Sequence, residues 1–254
     1  MSKIPFSLTG HVALVTGSSK GLGKQIALSL GKAGAKVCIN YANDKKKAES
    51  TFEEFQNAGY EGILVQADAT NEQLIQQMVQ EVEAKLGAVD ILVINATPPQ
   101  PQKPIEDYHW EFYQTMLDFF VKSPFLLTKA VVRNMKQNEW GRIINIGSEV
   151  FQMAMPNFSA YVAAKGGQIG WTRSMSKELA PYGITVNIVN PGWIPLERHV
   201  NDPQEMKDAY FARIPAGRWG TPQDVADAVV YFASEESAFI SGQTLCVNGA
   251  NTPW

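Results

Sequence analysis

Seven short apolar runs recur along the chain, HVALVT, KVCIN, GILVQ, DILVIN, RIINIG, TVNIV and TLCVN, and longer helix-like stretches separate them. Runs rich in Val, Ile and Leu, apolar on both faces, belong in a parallel sheet covered by helices on each side, with right-handed crossovers between neighbours. The expected fold is therefore α/β, a doubly wound parallel seven-stranded sheet flanked by helices. No Pro/Gly/Ser-rich linker and no solenoid repeat divides the 254 residues, so a single domain over 1–254 is expected. One stretch breaks the alternation. Residues 192–215, GWIPLERHVNDPQEMKDAYFARIP, carry Pro195, Pro203 and Pro215 and read as a loop with a short helix or two, beyond a strand end where ligands bind in such sheets.

Composition excludes several functions. Hydrophobic residues make up 45% and charged residues 19%, which suits a compact globule and not a disordered chain. A net charge of −3, with Lys45-Lys46-Lys47 as the longest basic run, gives nucleic acid no surface to bind. The opening MSKIPFSLTG lacks the apolar centre of a signal peptide, and no segment reaches the ~18 apolar residues of a membrane span, so a cytoplasmic protein is expected. Cys38 and Cys246 lie in apolar runs and read as free buried thiols. His11, His109 and His199 are scattered with no ligand spacing, so no metal site is expected, and Glu53-Glu54 and Glu235-Glu236 read as solvated helix faces.

Directly after HVALV the sequence runs TGSSKGLGKQIALSL, a strand, then glycines, then a run of helix formers. Gly17 permits the tight exit from the strand, Gly21 lets backbone N–H groups approach a pyrophosphate, and Gly23 lets the helix pack closely. The helix N-terminus adds partial positive charge. A site that prefers NAD places a carboxylate near the end of the second strand, on the ribose 2′-hydroxyl; here that place reads Asn40-Tyr41. With Lys20 in the turn to attract a 2′-phosphate, NADP(H) is the expected cofactor. Asp44 keeps NAD open, should its loop fold back to the ribose.

Farther on, SAYVAAKGGQIGWTRSMSKELA has a helical period, and Tyr161 and Lys165, four residues apart, share one face. A phenol with a pKa of ~10 is a poor base at neutral pH, and a neighbouring ammonium is expected to lower that value.

With these motifs in place, the sequence closely resembles the short-chain dehydrogenase/reductase family over nearly its whole length, and within it the 3-oxoacyl-carrier-protein reductases. TGSSKGLG matches the family's TGxxxGxG turn, YVAAK its YxxxK helix, and Ser148 in NIGSE stands 13 residues before Tyr161, as the family's serine does. Asp68 in QADAT, Asn190-Pro191-Gly192 and the closing SGQTLCVNGA extend the match. The resemblance implies a Rossmann fold and an oxidoreductase that moves hydride between a nicotinamide and a ketone or secondary alcohol. It assigns Tyr161 as acid and base, Lys165 to lowering its pKa and binding the nicotinamide ribose, Ser148 to the carbonyl oxygen and Asp68 to adenine. Further cofactor contacts are implied for Gly17, Ser19, Lys20, Gly21, Leu22 and Gly23, for Asn40, Tyr41 and Ala69, for Asn95 and Ala96, and for Pro191, Gly192 and Ile194. A homotetramer is also implied, with helices from Glu106 to Met135 and from Tyr161 to Ala180 at one interface and the C-terminal strand at another.

Three departures stand out. The family's NNAG reads Ile94-Asn95-Ala96-Thr97, its helix asparagine is Phe120, and its threonine after the Pro-Gly pair is Leu196. Each removes a polar group near the cofactor or the proton path. The resemblance implies a relay water on the backbone carbonyl at this position, and Pro124, four residues after Phe120 and without an N–H, is expected to leave the Phe120 carbonyl free to hold it. The alternative function is a cofactor-binding or sensing protein with weak or no turnover. For an enzyme, the substrate is a 3-oxoacyl carrier protein or a small ketone, sugar or polyol. Gln137-Asn138-Glu139-Trp140 and Pro181-Tyr182 offer an acidic carrier little positive charge, although Arg133 and Lys136 lie nearby. Phe151, Met153, Met155, Phe158 and Trp193 are candidates for an apolar pocket, and Arg198 and His199 for contacts with an anionic or hydroxylated substrate.

Overall fold

The computed structural model describes residues 4–253. Strands β1 (Val12–Val15), β2 (Lys36–Tyr41), β3 (Gly62–Gln66), β4 (Ile91–Ile94), β5 (Gly141–Ile146), β6 (Ile184–Pro191) and β7 (Thr244–Val247) form one parallel sheet in the order β3-β2-β1-β4-β5-β6-β7. All seven apolar runs are strands. Val15 is in register with Ile39 on one side and Val93 on the other. The chain crosses from β3 back over β1 to β4, which opens a crevice at the carboxyl ends of β1 and β4.

Both sheet faces are covered, which is why the strands show no alternation. On one face, α1 (Gly21–Lys32) and α9 (Pro222–Ala233) bury Ile26, Leu30, Val225 and Val229 against Val15, Ile39 and Ile144. On the other, α3 (Glu72–Lys85) and α5 (Ser123–Gln137) bury Ile75, Met78, Leu127 and Val131 against Leu14, Leu92 and Ile143. Full burial of such a side chain contributes about 1.5–3 kcal/mol. Helix α2 (Lys45–Asn57) starts where the Asp44 carboxylate accepts from Lys47 N at 3.1 Å, and Asn71 caps α3 on Leu74 N at the same distance. Thr221 and Asp224 make a reciprocal cap on α9, with Pro222 following the cap residue.

The helical stretch after α4 (Trp110–Leu117) is interrupted. A π turn at Asp118–Lys122, closed by Ser123 N on Asp118 O, comes just before Pro124 in the first turn of α5. Pro124 has no N–H for the preceding carbonyls, which accounts for the looser turn. Helix α6 (Val150–Met153) and the long α7 (Ser159–Leu179) follow β5. The 192–215 segment contains a short 3₁₀ turn at Glu197–His199 and helix α8 (Gln204–Phe211), as the sequence suggests. Among the described residues no helix is long and apolar enough to cross a membrane, and no cluster of His, Cys, Asp and Glu is arranged to hold a metal.

Candidate active site

The glycine turn sits at the crevice, braced from three sides. Gly17 and Gly21 have φ of +61° and +56°, the left-handed region that glycine enters without penalty. A Cβ on Gly23 would fall 2.4 Å from Gly17 O and 2.5 Å from Asn95 Nδ2, so the third glycine lets α1 start against the turn. Asn95 Nδ2 donates to Thr16 O at 2.9 Å and Gly17 O at 3.0 Å, while Thr16 Oγ1 accepts from Asn95 N at 3.0 Å and Ala96 N at 3.1 Å. Thr51 Oγ1 donates to Ser19 O at 2.8 Å. Asn95 and Ala96 thus hold the shape of the turn, with Ile94 and Thr97 on either side of them.

Asn40 has a different place from the one its sequence position implies. Its side chain is buried, accepts from Gly17 N at 3.1 Å and donates to Ala67 O at 3.0 Å. Tyr41 is buried as well. The Asn40 amide is spent on bracing the turn and has no donor left to offer a ribose. Asp44 is tied to its own helix as the cap of α2 and does not fold back. Lys20, exposed in the turn, makes no ion pair among the described residues. On the far rim Asp68 Oδ1 accepts from Thr70 N and Thr70 Oγ1, both at 2.8 Å, beside buried Ala69.

These features fit a dinucleotide. No side chain caps the first turn of α1, and no acidic residue stands in it, so the free N–H groups near Gly21, Leu22 and Gly23 are suited to phosphate oxygens. Leu196 packs over the turn, its Cδ1 3.4 Å from where a Gly21 Cβ would stand, so an apolar group occupies the family's threonine position. Ile194 is buried against the core next to it.

Ser148, Tyr161 and Lys165 come together at the carboxyl end of β5. Ser148 follows that strand, its hydroxyl accepts from Val150 N at 3.3 Å, and it favours the charged form of the Tyr161 phenol. Tyr161 stands in the first turn of α7 with Lys165 one turn on. Both are buried, and Lys165 Nζ donates to Ile146 O at 2.7 Å and Gln168 Oε1 at 3.1 Å. An ammonium has three donors, so one is left for a ligand. The ammonium also lies 3.8 Å from the Phe120 ring centroid, and the Phe120 and Tyr161 rings meet edge to face at 5.3 Å.

This geometry corrects one expectation. The Tyr161 phenol is not lowered by Lys165; burial pushes its pKa above the ordinary value, opposed by the Ser148 hydroxyl and by the charge of Arg198. Burial, with Arg198 adding repulsion, holds Lys165 well below the usual lysine range. Burial is the largest influence on both groups, and the charge of Arg198 lowers both.

The apolar residues near the site divide. Phe158 packs on Tyr161 at 5.0 Å, and Phe151 fills the space over Gly166, where a Cβ would meet its ring at 2.8 Å. Met153 and Met155 are half-buried. Trp193 belongs to an aromatic group with Tyr210, Trp219 and His199, at ring separations of 5.3, 5.9 and 5.7 Å. Burial pushes the His199 pKa down, and its Nδ1 accepts from Leu196 N at 3.2 Å. Thr16, Gln168, Glu149 and Tyr210 had no assigned role in the sequence. Only Thr16 carries a local signal, as the hydroxyl residue between strand and glycine.

Comparison with known proteins agrees with this geometry. Residues 17–251 match the family model described as enoyl-(acyl carrier protein) reductase. The chain is 38% identical to 3-oxoacyl-[acyl-carrier-protein] reductase FabG of Staphylococcus epidermidis over 239 residues, 93% of this chain and 97% of the other. It is 33% identical to 2-dehydro-3-deoxy-D-gluconate 5-dehydrogenase of Formosa agariphila over 252 residues, 98% of this chain and 95% of the other. The crystal structure of a gluconate 5-dehydrogenase from Burkholderia cenocepacia in complex with NADP and tartrate superposes with a TM-score of 0.90 at 34% identity, covering 97% of each chain. These relatives are oxidoreductases, which leaves the alternative of a binding protein without turnover unsupported. The agreement of fold, turn and relatives over almost the full length establishes that the chain belongs to the short-chain dehydrogenase/reductase family, as an NAD(P)-dependent oxidoreductase of a ketone or secondary alcohol.

Proposed function

We propose that this enzyme prefers NADP(H) and acts on a small hydroxyl-bearing ketone or the matching secondary alcohol, with Ser148, Tyr161 and Lys165 as its catalytic residues. The observation that carries the cofactor reading is the contrast between Lys20, an exposed cation in the glycine turn, and Asp44, whose carboxylate is committed to capping α2. A 2′-phosphate would meet a cation and no free carboxylate there. When bound, the nicotinamide supplies or accepts the hydride.

The protein groups do the remaining work. Ser148 holds the substrate oxygen by a hydrogen bond, and Tyr161 gives it a proton in reduction or takes one in oxidation. Burial keeps the phenol protonated at neutral pH, the form reduction requires. The third donor of Lys165 is directed to the nicotinamide ribose, while Ile146 O and Gln168 fix the ammonium. Gly17, Ser19, Gly21, Leu22 and Gly23 receive the pyrophosphate, Asp68 and Ala69 the adenine, and Pro191, Gly192 and Ile194 the nicotinamide amide.

A small substrate is favoured over a carrier protein because the nearest basic rim is partly spent. Lys136 Nζ lies 4.3 Å from the Tyr182 ring centroid, covering an aromatic face. Arg198, in the loop over the site, makes no ion pair with a carboxylate among the described residues and is available to an anionic or hydroxylated substrate. Titration with NADPH and NADH, followed by turnover of acyl thioesters, free ketones and sugar acids, tests both parts. Tighter NADH binding would reject the first, and exclusive use of thioesters the second.

The proposal includes a homotetramer. Trp110 and Phe125, 65% and 51% exposed on α4 and α5, give the helical face apolar surface for a second copy. Sedimentation velocity distinguishes a tetramer from a monomer.

A further inference from the structure

Beside Ser148 lies a buried charge that the hydride chemistry leaves unused. Glu149 is 2% exposed, and no cation pairs with it among the described residues. Neutral donors surround its carboxylate: the Tyr210 hydroxyl, Asn248 Nδ2 at 3.0 Å, Asn251 Nδ2 at 3.2 Å and Thr252 Oγ1 at 3.1 Å. A buried carboxylate is tolerated only where its lone pairs are filled, and here they are filled from two distant segments. One is helix α8 of the 192–215 loop; the other is the chain after β7.

The backbone at this point is equally fixed. Gly147 N donates to Val189 O at 2.7 Å and Glu149 N to Pro191 O at 3.1 Å, so the residues on both sides of Ser148 are held to the end of β6. Tyr210 reaches the same place from the loop. Its hydroxyl, while donating to Glu149, accepts from Trp193 N at 2.7 Å. The phenol occupies space that a side chain at residue 192 would fill, since a Cβ on Gly192 would stand 2.6 Å from the Tyr210 oxygen. One hydroxyl thus joins the serine segment, the Pro-Gly turn and the loop helix.

We propose that Glu149 is a positioning residue that latches the 192–215 loop through Tyr210, so that the loop and the Ser148 hydroxyl are placed over the substrate together. This rests on the reading of Ser148 as the group that binds the substrate oxygen. An apolar residue at 149 would fill the volume at lower desolvation cost, but it would give the loop no directional partner. The latch acts on the loop and on Ser148, and it makes no contact with the reacting atoms.

Two variants test it, Tyr210→Phe, which removes the phenolic donor and acceptor, and Glu149→Gln, which keeps the shape and removes the charge. Each is compared with the wild type by trypsin digestion well below its unfolding midpoint, scored at Arg198, Lys207 and Arg213 in the loop against sites elsewhere. Kinetics with the best substrate provide the second readout. In Tyr210→Phe, loop cleavage should rise by roughly tenfold with other sites unchanged, and KM should rise more than kcat falls. In Glu149→Gln, the same loop cleavage should be accompanied by a kcat several-fold lower at unchanged NADPH affinity. Loop cleavage at the wild-type rate in Tyr210→Phe, or a rise at all sites alike, overturns the latch. A wild-type enzyme that binds NADPH but reduces no ketone defeats the reading of Ser148 instead, and the digestion still decides the latch.

Discussion

The Lys165 ammonium lies 3.8 Å from the centre of the Phe120 ring, and the edge of that ring system borders Tyr161. An aromatic face attracts a cation by about 0.5–2 kcal/mol but accepts no proton, so Phe120 steadies the lysine without extending a proton path from it. Replacing Phe120 with Asn restores a polar group beside the ammonium. Turnover should rise several-fold, about 1 kcal/mol of barrier, while the lost core packing lowers stability by ~3 kcal/mol. Steady-state kinetics and chemical denaturation of the same variant check the two signs.

Tyr161→Phe should reduce turnover by ~10²–10⁴-fold with NADPH affinity nearly unchanged, because the ring still packs and only the transferable proton is gone. Lys165→Ala should weaken both. Single-turnover kinetics together with fluorescence titration separate the effects; ordinary activity in Tyr161→Phe would refute its role.

The buried lysine also sets a pH dependence of stability. Its pKa is depressed on folding, so the unfolded chain binds the proton more tightly between the folded value and ~10.4, and stability rises with pH across that interval. Tyr161, raised on folding, opposes this only above ~10, where the unfolded phenol ionises first. Lys165→Met removes the buried charge. Its stability relative to wild type should be greater at pH 7 than at pH 10, measured by thermal unfolding at both; a difference independent of pH would mean the ammonium carries no burial penalty.

Reversing the charge in the turn tests cofactor choice. Lys20→Glu should weaken NADPH binding by roughly tenfold or more, about 1.4 kcal/mol, and leave NADH binding almost unaltered. Calorimetric titration with each nucleotide gives the ratio directly.

Gly23→Ala should be the most damaging single methyl in the turn. Its Cβ would collide with the backbone oxygen of Gly17 at 2.4 Å and at 2.5 Å with the Asn95 amide, which two hydrogen bonds hold in place. We expect loss of dinucleotide affinity before loss of the fold, seen as weakened NADPH binding with far-UV circular dichroism intact.

The sheet was legible because each strand is buried on both faces, and such runs stand out from the helices between them. The turn and the Ser148–Tyr161–Lys165 group were legible because their spacing is local or fixed by one crossover. The bracing role of the Asn40 side chain was not legible, for the opposite reason. Its position at the end of β2 suggests a ribose contact, but its amide turns inward to Gly17, 23 residues earlier, and only the pairing of β1 with β2 reveals this. Glu149 and Tyr210 were silent too, since a carboxylate and a phenol 61 residues apart carry no periodic signal until the loop folds over the serine. The direction of the Tyr161 shift likewise depends on burial, which spacing does not report.

The joint at which Asn95 and Ala96 meet Thr16 divides the work of the chain between two stretches of sequence. On the proposed reading, the residues before it hold the adenosine and pyrophosphate of the cofactor, and those after it, from β5 to α7 and in the Pro-Gly turn beyond β6, hold the nicotinamide and the substrate oxygen. Under that proposal, exchange of one nucleotide for the other is expected to follow from changes before residue 72, and a new substrate from changes after residue 140. The two kinds of change can then be made in different stretches of one sheet, provided that the threonine and the asparagine at the joint are kept.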